Sequence, residues 1–304
     1  DDGRPRLWID RVFTMKGAGT VVTGTLDGGT LAPDDEVTAF PGGSTARVRG
    51  LQTHRRDVAV AHPGSRVAVN LAATPRDALT RGDVLVAPGT RRPTDVVEVA
   101  MRPVRGGGAI RERGAHSFHL GAAERGARIR LLGERDGRTY ARVRLDAPVV
   151  AEPGDRFVLR DLGRGTTVAG GEIVDAWPPA RPGSDAVDRL AARRGAHGEA
   201  LAVLLVAERS VVADGDVRVA IGALPEPLPG ATRAGGWWFA DAARDAVARA
   251  VTDALAAYHR DHALEPGAPV ALARDAAVAA LRRLRVAREG DPADAALTLL
   301  LEAG

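Results

Sequence analysis

The stretch IDRVFTMKGAGTVVTGTL, residues 9–26, decides how the rest of the chain is read. It holds a lysine, closely spaced glycines and a threonine-rich run. A phosphate-cradling P-loop has the order G-x-x-x-x-G-K-[ST] and runs into a helix. Here Lys16 precedes Gly17 and Gly19, and the β-prone TVVTGTL follows. The order is wrong for a P-loop and right for a β-hairpin whose glycines form a tight turn or bulge. No other segment supplies the motif. The chain is therefore expected to carry no GTP or ATP hydrolysis of its own, and no catalytic residue is assigned.

The same rhythm extends on both sides of this hairpin. From Arg6 to about Ala87, short runs such as LWIDRVF, DEVTAF, ARVRGLQT and SRVAVNLA alternate with the turn signals DGG at 27–29, PGG at 41–43 and HPG at 62–64. Many short strands at this spacing predict a barrel or sandwich. A second β block, including TDVVEVAMRPV, HSFHLGA, TYARVRL and RFVLRDL, runs from Thr94 to Trp177. PPARPGSD at 178–185 reads as an extended linker, because paired prolines lack backbone donors. Beyond it the period becomes helical. Ser184 is placed to cap DAVDRLAARRG, with Gly195 as the stop. HGEALAVLLVAERS predicts a second helix, and Asp214 is placed to cap a third. ATRAGGWWFA predicts a hairpin turning at Gly235–Gly236. In the helix that starts at Asp241, Val247, Val251, Leu255 and Tyr258 share one face. Helix, helix, helix, hairpin is the order of a winged helix-turn-helix module, and residues 263–304 read as the start of another.

The composition narrows the classes. The 304 residues are 45% hydrophobic and 27% charged, enough to bury a core. Of 42 basic residues one is Lys16 and the other 41 are arginine, against 39 acids, for a net charge of +3. That balance does not describe a simple nucleic-acid-coating protein, and the arginine bias fits a GC-rich coding sequence. Cysteine is absent, which excludes disulfides and thiolate metal sites. There is no apolar run of the roughly 18 residues that span a bilayer, and no secretory start, so a cytoplasmic protein with no membrane partner is expected.

Three segments together resemble a known family. RVFTMKGAGTVVTGTLDGGTLAPDDEV, then ARVRGLQTHRRDVAVAHPGSRVAVNLA and RGDVL, resemble the second domain of translational GTPases. DRFVLRDLGRGTTVAGGEIVDAWPP at 155–179 and the helical tail, including LAAYHRDHALEPG at 255–267, are similar to the selenocysteine-specific translation elongation factors. One departure is Asp34, where the family usually has glycine; aspartate tolerates left-handed turn geometry. The resemblance implies a mainly β, then α chain. Two elongation-factor-Tu-like β-barrels at 5–91 and 92–179 would be followed by a linker at 180–184, a first winged helix at 185–262 and a partial second one at 263–304. It also implies a fragment, with a nucleotide-binding domain that holds GTP and Mg ahead of Asp1 and further winged helices beyond Gly304.

The function implied is GTP-dependent delivery of selenocysteinyl-tRNA to the ribosome at recoded UGA codons. A selenoprotein mRNA hairpin would be gripped by modules outside this chain. By position, the family's aminoacyl-end pocket maps to Asp10, Arg11 and Arg66. Arginines there suit a selenolate, which a serine or neutral thiol cannot imitate. The plain alternative is an exposed ion pair worth about 0–1 kcal/mol. Arg282, Arg283, Arg285 and Arg288 are candidate RNA contacts, although arginines on an alanine-rich helix commonly form a solvated face. Arg128, Arg130, Arg142 and Arg144 alternate along strands of the second block, as an RNA-facing side or an ordinary polar one. His116 and His119, three apart on a strand, point to opposite faces and do not read as a metal pair. Trp237, Trp238 and Phe239 read as a buried strand before a base-stacking platform. Two other functions fit the broad pattern: a translational GTPase fragment that handles ordinary aminoacyl- or initiator tRNA, and a winged-helix regulator of DNA.

Overall fold

A computed structural model describes residues 3–15, 19–284 and 291–302. The chain divides into two compact units, Asp1–Gly195 and Ala196–Gly304.

The first unit holds two β-barrels. Strands β1 (Arg6–Met15), β2 (Gly19–Asp27), β3 (Glu36–Phe40), β4 (Ser44–Thr53), β5 (Arg56–Val58), β6 (Arg66–Leu71) and β7 (Val84–Val86) pair in the order β3-β7-β1-β2-β6-β4-β5. A β3–β4 pairing closes six of them into a barrel, with β5 added at the side. Alternation sends Leu7, Ile9, Val22, Leu26, Val67 and Val69 into its core. The turn chemistry follows the sequence. Gly19 has φ +87°, and Asp34 has φ +73°, where the family's usual residue is glycine. The β4–β5 turn is less expected, since His54 and Arg55 both carry positive φ, at +52° and +64°.

The second barrel comprises β8 (Pro93–Pro103), β9 (His116–Leu120), β10 (Ala123–Arg135), β11 (Arg138–Val150), β12 (Arg156–Asp161) and β13 (Thr166–Asp175), closed in the order β10-β11-β8-β13-β12-β9. The two barrels share a sealed junction. Trp8 points out of the first barrel into the apolar cluster of the second. Gly121 faces it, and a Cβ there would sit 2.3 Å from Trp8 Cδ2. Arg6 lies over the Trp8 ring at 5.0 Å. It reaches Asp27 of its own barrel at 3.0 Å and Asp155 of the other at 2.7 and 2.8 Å. Glu152 accepts Arg4 and Arg91, each at 3.0 Å. Burial alone would lower the Arg6 pKa; the hydrogen bonds and charges of Asp155 and Asp27 outweigh it and raise it.

Helix α1 (Ala186–Arg193) was expected to open the winged-helix module, but it falls in the first unit. Its Leu190, with Val187 and Ala191, packs on Ala100, Tyr140 and Val174 of the second barrel. The physical reason lies in two buried carboxylates. Glu98 is fully buried and accepts Arg142 at 2.8 Å and Arg189 of α1. Asp175 accepts Arg189 at 3.1 Å and Arg193 of α1. Without the helix Glu98 would lose Arg189, and Asp175 would lose both Arg189 and Arg193; removing the partners of a buried charge is costly. Ser184 does not cap the helix; Asp185 occupies the N-cap with no side-chain hydrogen bond.

The second unit has α2 (Gly198–Arg209), β14 (Val211–Ala213), α3 (Asp214–Ile221), β15 (Ala231–Ala234), β16 (Trp237–Ala240) and α4 (Asp241–Asp261). The strands pair antiparallel in the order β14-β16-β15. Trp238 and Phe239 are buried, as a strand at the centre of that sheet requires. Gly235 and Gly236 turn the hairpin with φ +52° and +81°. Asp214 is the first residue of α3 rather than its cap, and its carboxylate instead accepts Arg233 at 2.9 Å. Helices α5 (Val270–Arg283) and α6 (Ala293–Glu302) belong to this same compact unit. A Cβ on Gly235 would lie 2.7 Å from the Ala295 Cβ of α6. No helix among the described residues is long and apolar enough to cross a membrane.

Candidate aminoacyl-end site

The site begins with a defect in β1. Leu7 and Ile9 face the core, and the next residue to pack on that core is Val12. A step of three breaks the two-residue period, and the β1–β2 register shifts between Ile9 and Arg11. Asp10 is the extra residue of this β-bulge, so Asp10 and Arg11 both stand outside the core. Gly24, paired with Ile9, makes the bulge possible, since a Cβ there would lie 2.0 Å from the Trp8 carbonyl oxygen.

The bulge delivers Asp10 to the outward faces of β2 and β6. Thr23 Oγ1 donates to Asp10 Oδ1 at 2.7 Å. Arg66 Nη2 donates to the same oxygen at 2.9 Å and lies 3.4 Å from Thr23 Oγ1. The side chains of Asp10 and Arg66 are 30% and 58% exposed, so the pair is open to a ligand. Asp10 also lines a cleft of about 530 Å³ between the two barrels, with Trp8, Thr25, Arg81, Gly121 and Arg156. Two of the three expected site residues are thus joined directly. Arg11 is exposed, next in the chain to Asp10, and its side chain makes no hydrogen bond or ion pair among the described residues. Thr23 was missed in the sequence, although alternation with the buried Val22 places it on the outward face.

The other candidates separate by their contacts. Arg142 pairs with the buried Glu98, which gives it a structural task, and Arg144 forms an exposed pair with Asp95. Arg128 and Arg130, directly opposite Arg144 and Arg142 across the β10–β11 ladder, are exposed. Arg282 and Arg283 are exposed in the last turn of α5, while Arg285 and Arg288 lie outside the described residues, as do Lys16 and Gly17. His116 is buried, and His119 Nε2 lies 2.8 Å from Ser117 Oγ.

This geometry, two closed six-stranded barrels with the first carrying the bulged hairpin, is similar to that of translational elongation factors. Residues 19–86 match the family described as elongation factor Tu domain 2. Residues 100–180 match the selenocysteine-specific elongation factor β-barrel domain. It is 40% identical over 176 residues to the selenocysteine-specific elongation factor of Desulfomicrobium baculatum, covering 56% of this chain and 28% of that one. It is 30% identical over 271 residues to the Escherichia coli K12 protein of the same description, covering 86% and 43%. The crystal structure of a bacterial selenocysteine-specific elongation factor shares the fold, with a TM-score of 0.71 at 20% identity over 85% of this chain and 43% of that one. The chain therefore spans less than half the length of these relatives.

Proposed function

We propose that this chain is the tRNA-handling part of a factor that binds selenocysteinyl-tRNA and delivers it, with GTP, to the ribosome at recoded UGA codons. The chain has no P-loop, so GTP and Mg would be held by a nucleotide-binding domain elsewhere in the parent. The first barrel receives the aminoacyl end. Residues 196–261 form a winged helix, and the chain from there on is the arm towards modules that grip a selenoprotein mRNA hairpin.

The observation that carries this reading is the Asp10–Arg66 pair on the outer face of β1 and β6, partly exposed and beside an open cleft. A guanidinium held at one end by a carboxylate keeps its remaining donors for an incoming anion. Selenocysteine is largely a selenolate at neutral pH, whereas a serine hydroxyl is neutral and leaves the guanidinium without a matching charge. The two side chains differ little in shape, so charge has to carry the discrimination.

The test restores a nucleotide-binding domain to the chain and changes Arg66 to Ala. Affinity for selenocysteinyl-tRNA is expected to fall by roughly tenfold, as for loss of one charged hydrogen bond, with seryl-tRNA little affected. Equal losses for the two tRNAs, or none, would remove Arg66 from discrimination. Such a result would favour a fragment that handles ordinary aminoacyl-tRNA.

A further inference from the structure

With α1 docked on the second barrel, only α2 and α3 of the helical unit precede the β15–β16 hairpin among the described residues. The winged helix-turn-helix order calls for a third helix, and in helix-turn-helix modules a recognition helix enters the groove. Between α3 and β15 the chain instead reads GALPEPLPG, residues 222–230, whose three prolines keep it out of a helix. Leu228 anchors this segment by burial. The helix that remains ahead of it is ill suited to a polyanion, since α3 opens with Asp214 and Asp216. Residues 196–261 hold nine acids against six arginines, a net charge of −3 with histidine neutral. Binding to a nucleic-acid backbone runs on the opposite sign.

The hairpin itself could still grip phosphates, and that would take arginines with donors to give. Both arginines at the hairpin are already engaged. Arg233 of β15 donates from Nε to Asp214 at 2.9 Å, from Nη2 to Asp214 as well, and from Nη1 to Glu226. Its guanidinium carbon lies 5.9 Å from the centre of the Trp238 ring. Arg244 reaches Thr232 of β15 at 3.3 Å and pairs with Asp241 and Asp245. The turn is occupied too. Gly235 has φ +52°, and a Cβ there would lie 2.7 Å from the Ala295 Cβ and 3.3 Å from the Ala295 Cα. On α6, Ala293, Ala295, Ala296 and Leu299 are buried, a face of mostly small residues that lets a backbone come close. Arg274 of α5 pairs with Asp294 of α6 at 2.9 Å and with Asp291 just ahead of it.

We propose that the β15–β16 hairpin is a docking surface for helix α6 rather than a nucleic-acid grip, and that α2 to α6 act as one stiff strut. The partner the hairpin fits is a protein helix with an alanine face, and the chain itself supplies it. A hairpin seated on α6, with α6 tied to α5, stops the two halves from swinging about the connection at 262–269. The contact lies wholly within the helical unit and is independent of what Arg66 binds.

The test measures amide hydrogen exchange of the whole chain in two variants. Gly235→Leu puts a side chain between the hairpin and α6. Gly236→Leu adds the same side chain at φ +81°, with a similarly left-handed backbone but open space around it. Gly235→Leu is expected to speed exchange across 293–302 by roughly ten- to a hundredfold, and Gly236→Leu to leave it unchanged. Equal effects of the two, or no effect of Gly235→Leu, would overturn the docking. Ala295→Leu wedges the same contact from the helix side and leaves the turn intact. It should reproduce the faster exchange even where Gly235→Leu does not fold, and unchanged exchange in it overturns the docking as well. A second measurement follows the amide signals of 231–240 by NMR while the chain is titrated with a stem-loop RNA at low salt. They are expected to stay in place. A salt-dependent shift there, lost in Arg233→Ala, would show that the hairpin grips RNA and would overturn the assignment.

Discussion

Arg6→Met tests whether the two barrels are locked by charge. Methionine keeps an unbranched stem over Trp8 but removes the guanidinium. That group makes a bidentate contact to Asp155 at 2.7 and 2.8 Å and a fork to Asp27 at 3.0 Å. Removing one partner of a buried pair costs about 3–5 kcal/mol. The Asp27 side chain is 39% exposed and can rehydrate, whereas Asp155 is 14% exposed and cannot do so fully. Asp155 Oδ2 also retains the Glu152 amide as a donor at 2.8 Å. The low end, about 3 kcal/mol, is therefore expected. For a unit of 195 residues, at about 2–4 °C per kcal/mol, the unfolding midpoint should fall by about 6–12 °C. Calorimetry on the first unit would read it. The loss should be similar at low and high salt, because a buried pair is poorly screened. A midpoint shift below about 2 °C, or one that vanishes at high salt, would show that Arg6 is a solvated charge and that the junction holds without it.

Two further outcomes follow from the helical parts. Leu190→Ala removes a fully buried side chain that docks α1 on the second barrel. A cost of about 3 kcal/mol should speed hydrogen exchange at 186–193 by roughly a hundredfold, and unchanged exchange would mean that the charges on Arg189 and Arg193 hold the helix unaided. Tyr258 donates to Glu265, and this hydrogen bond first, then burial and the Glu265 charge, raise its pKa above the ordinary 10.0. A raised pKa means that the contact contributes fully below the ordinary value and is lost as pH climbs through the folded one. Glu265→Gln should move the phenol's absorbance titration to lower pH, and an unmoved curve would refute the contact.

What could be read from the sequence was whatever local chemistry controls. Gly19, Asp34 and Gly235–Gly236 announce turns because few residues accept positive φ there, and the structure has it at all four. The strands of both barrels and the helices from α2 to α5 follow their periods. The misplaced element is α1, whose pattern is that of any amphipathic helix. Its docking is decided by Glu98 and Asp175, remote in sequence, whose burial shows only when the second barrel closes.

The site repeats this division between local and remote causes. Arg66 and Asp10 are 56 residues apart, and a motif can pair them only by analogy. Their contact depends on a one-residue bulge, which depends in turn on Gly24 having no Cβ against the Trp8 carbonyl. Without the bulge, strict alternation would carry Arg11 inward in place of Val12. A barrel core has no counter-charge for a guanidinium there, so the hairpin has little choice of register. The same constraint that closes the apolar core therefore turns the acid and its neighbouring arginine outward together. The fold and the anion-and-cation character of the site are thus consequences of one irregularity in one strand.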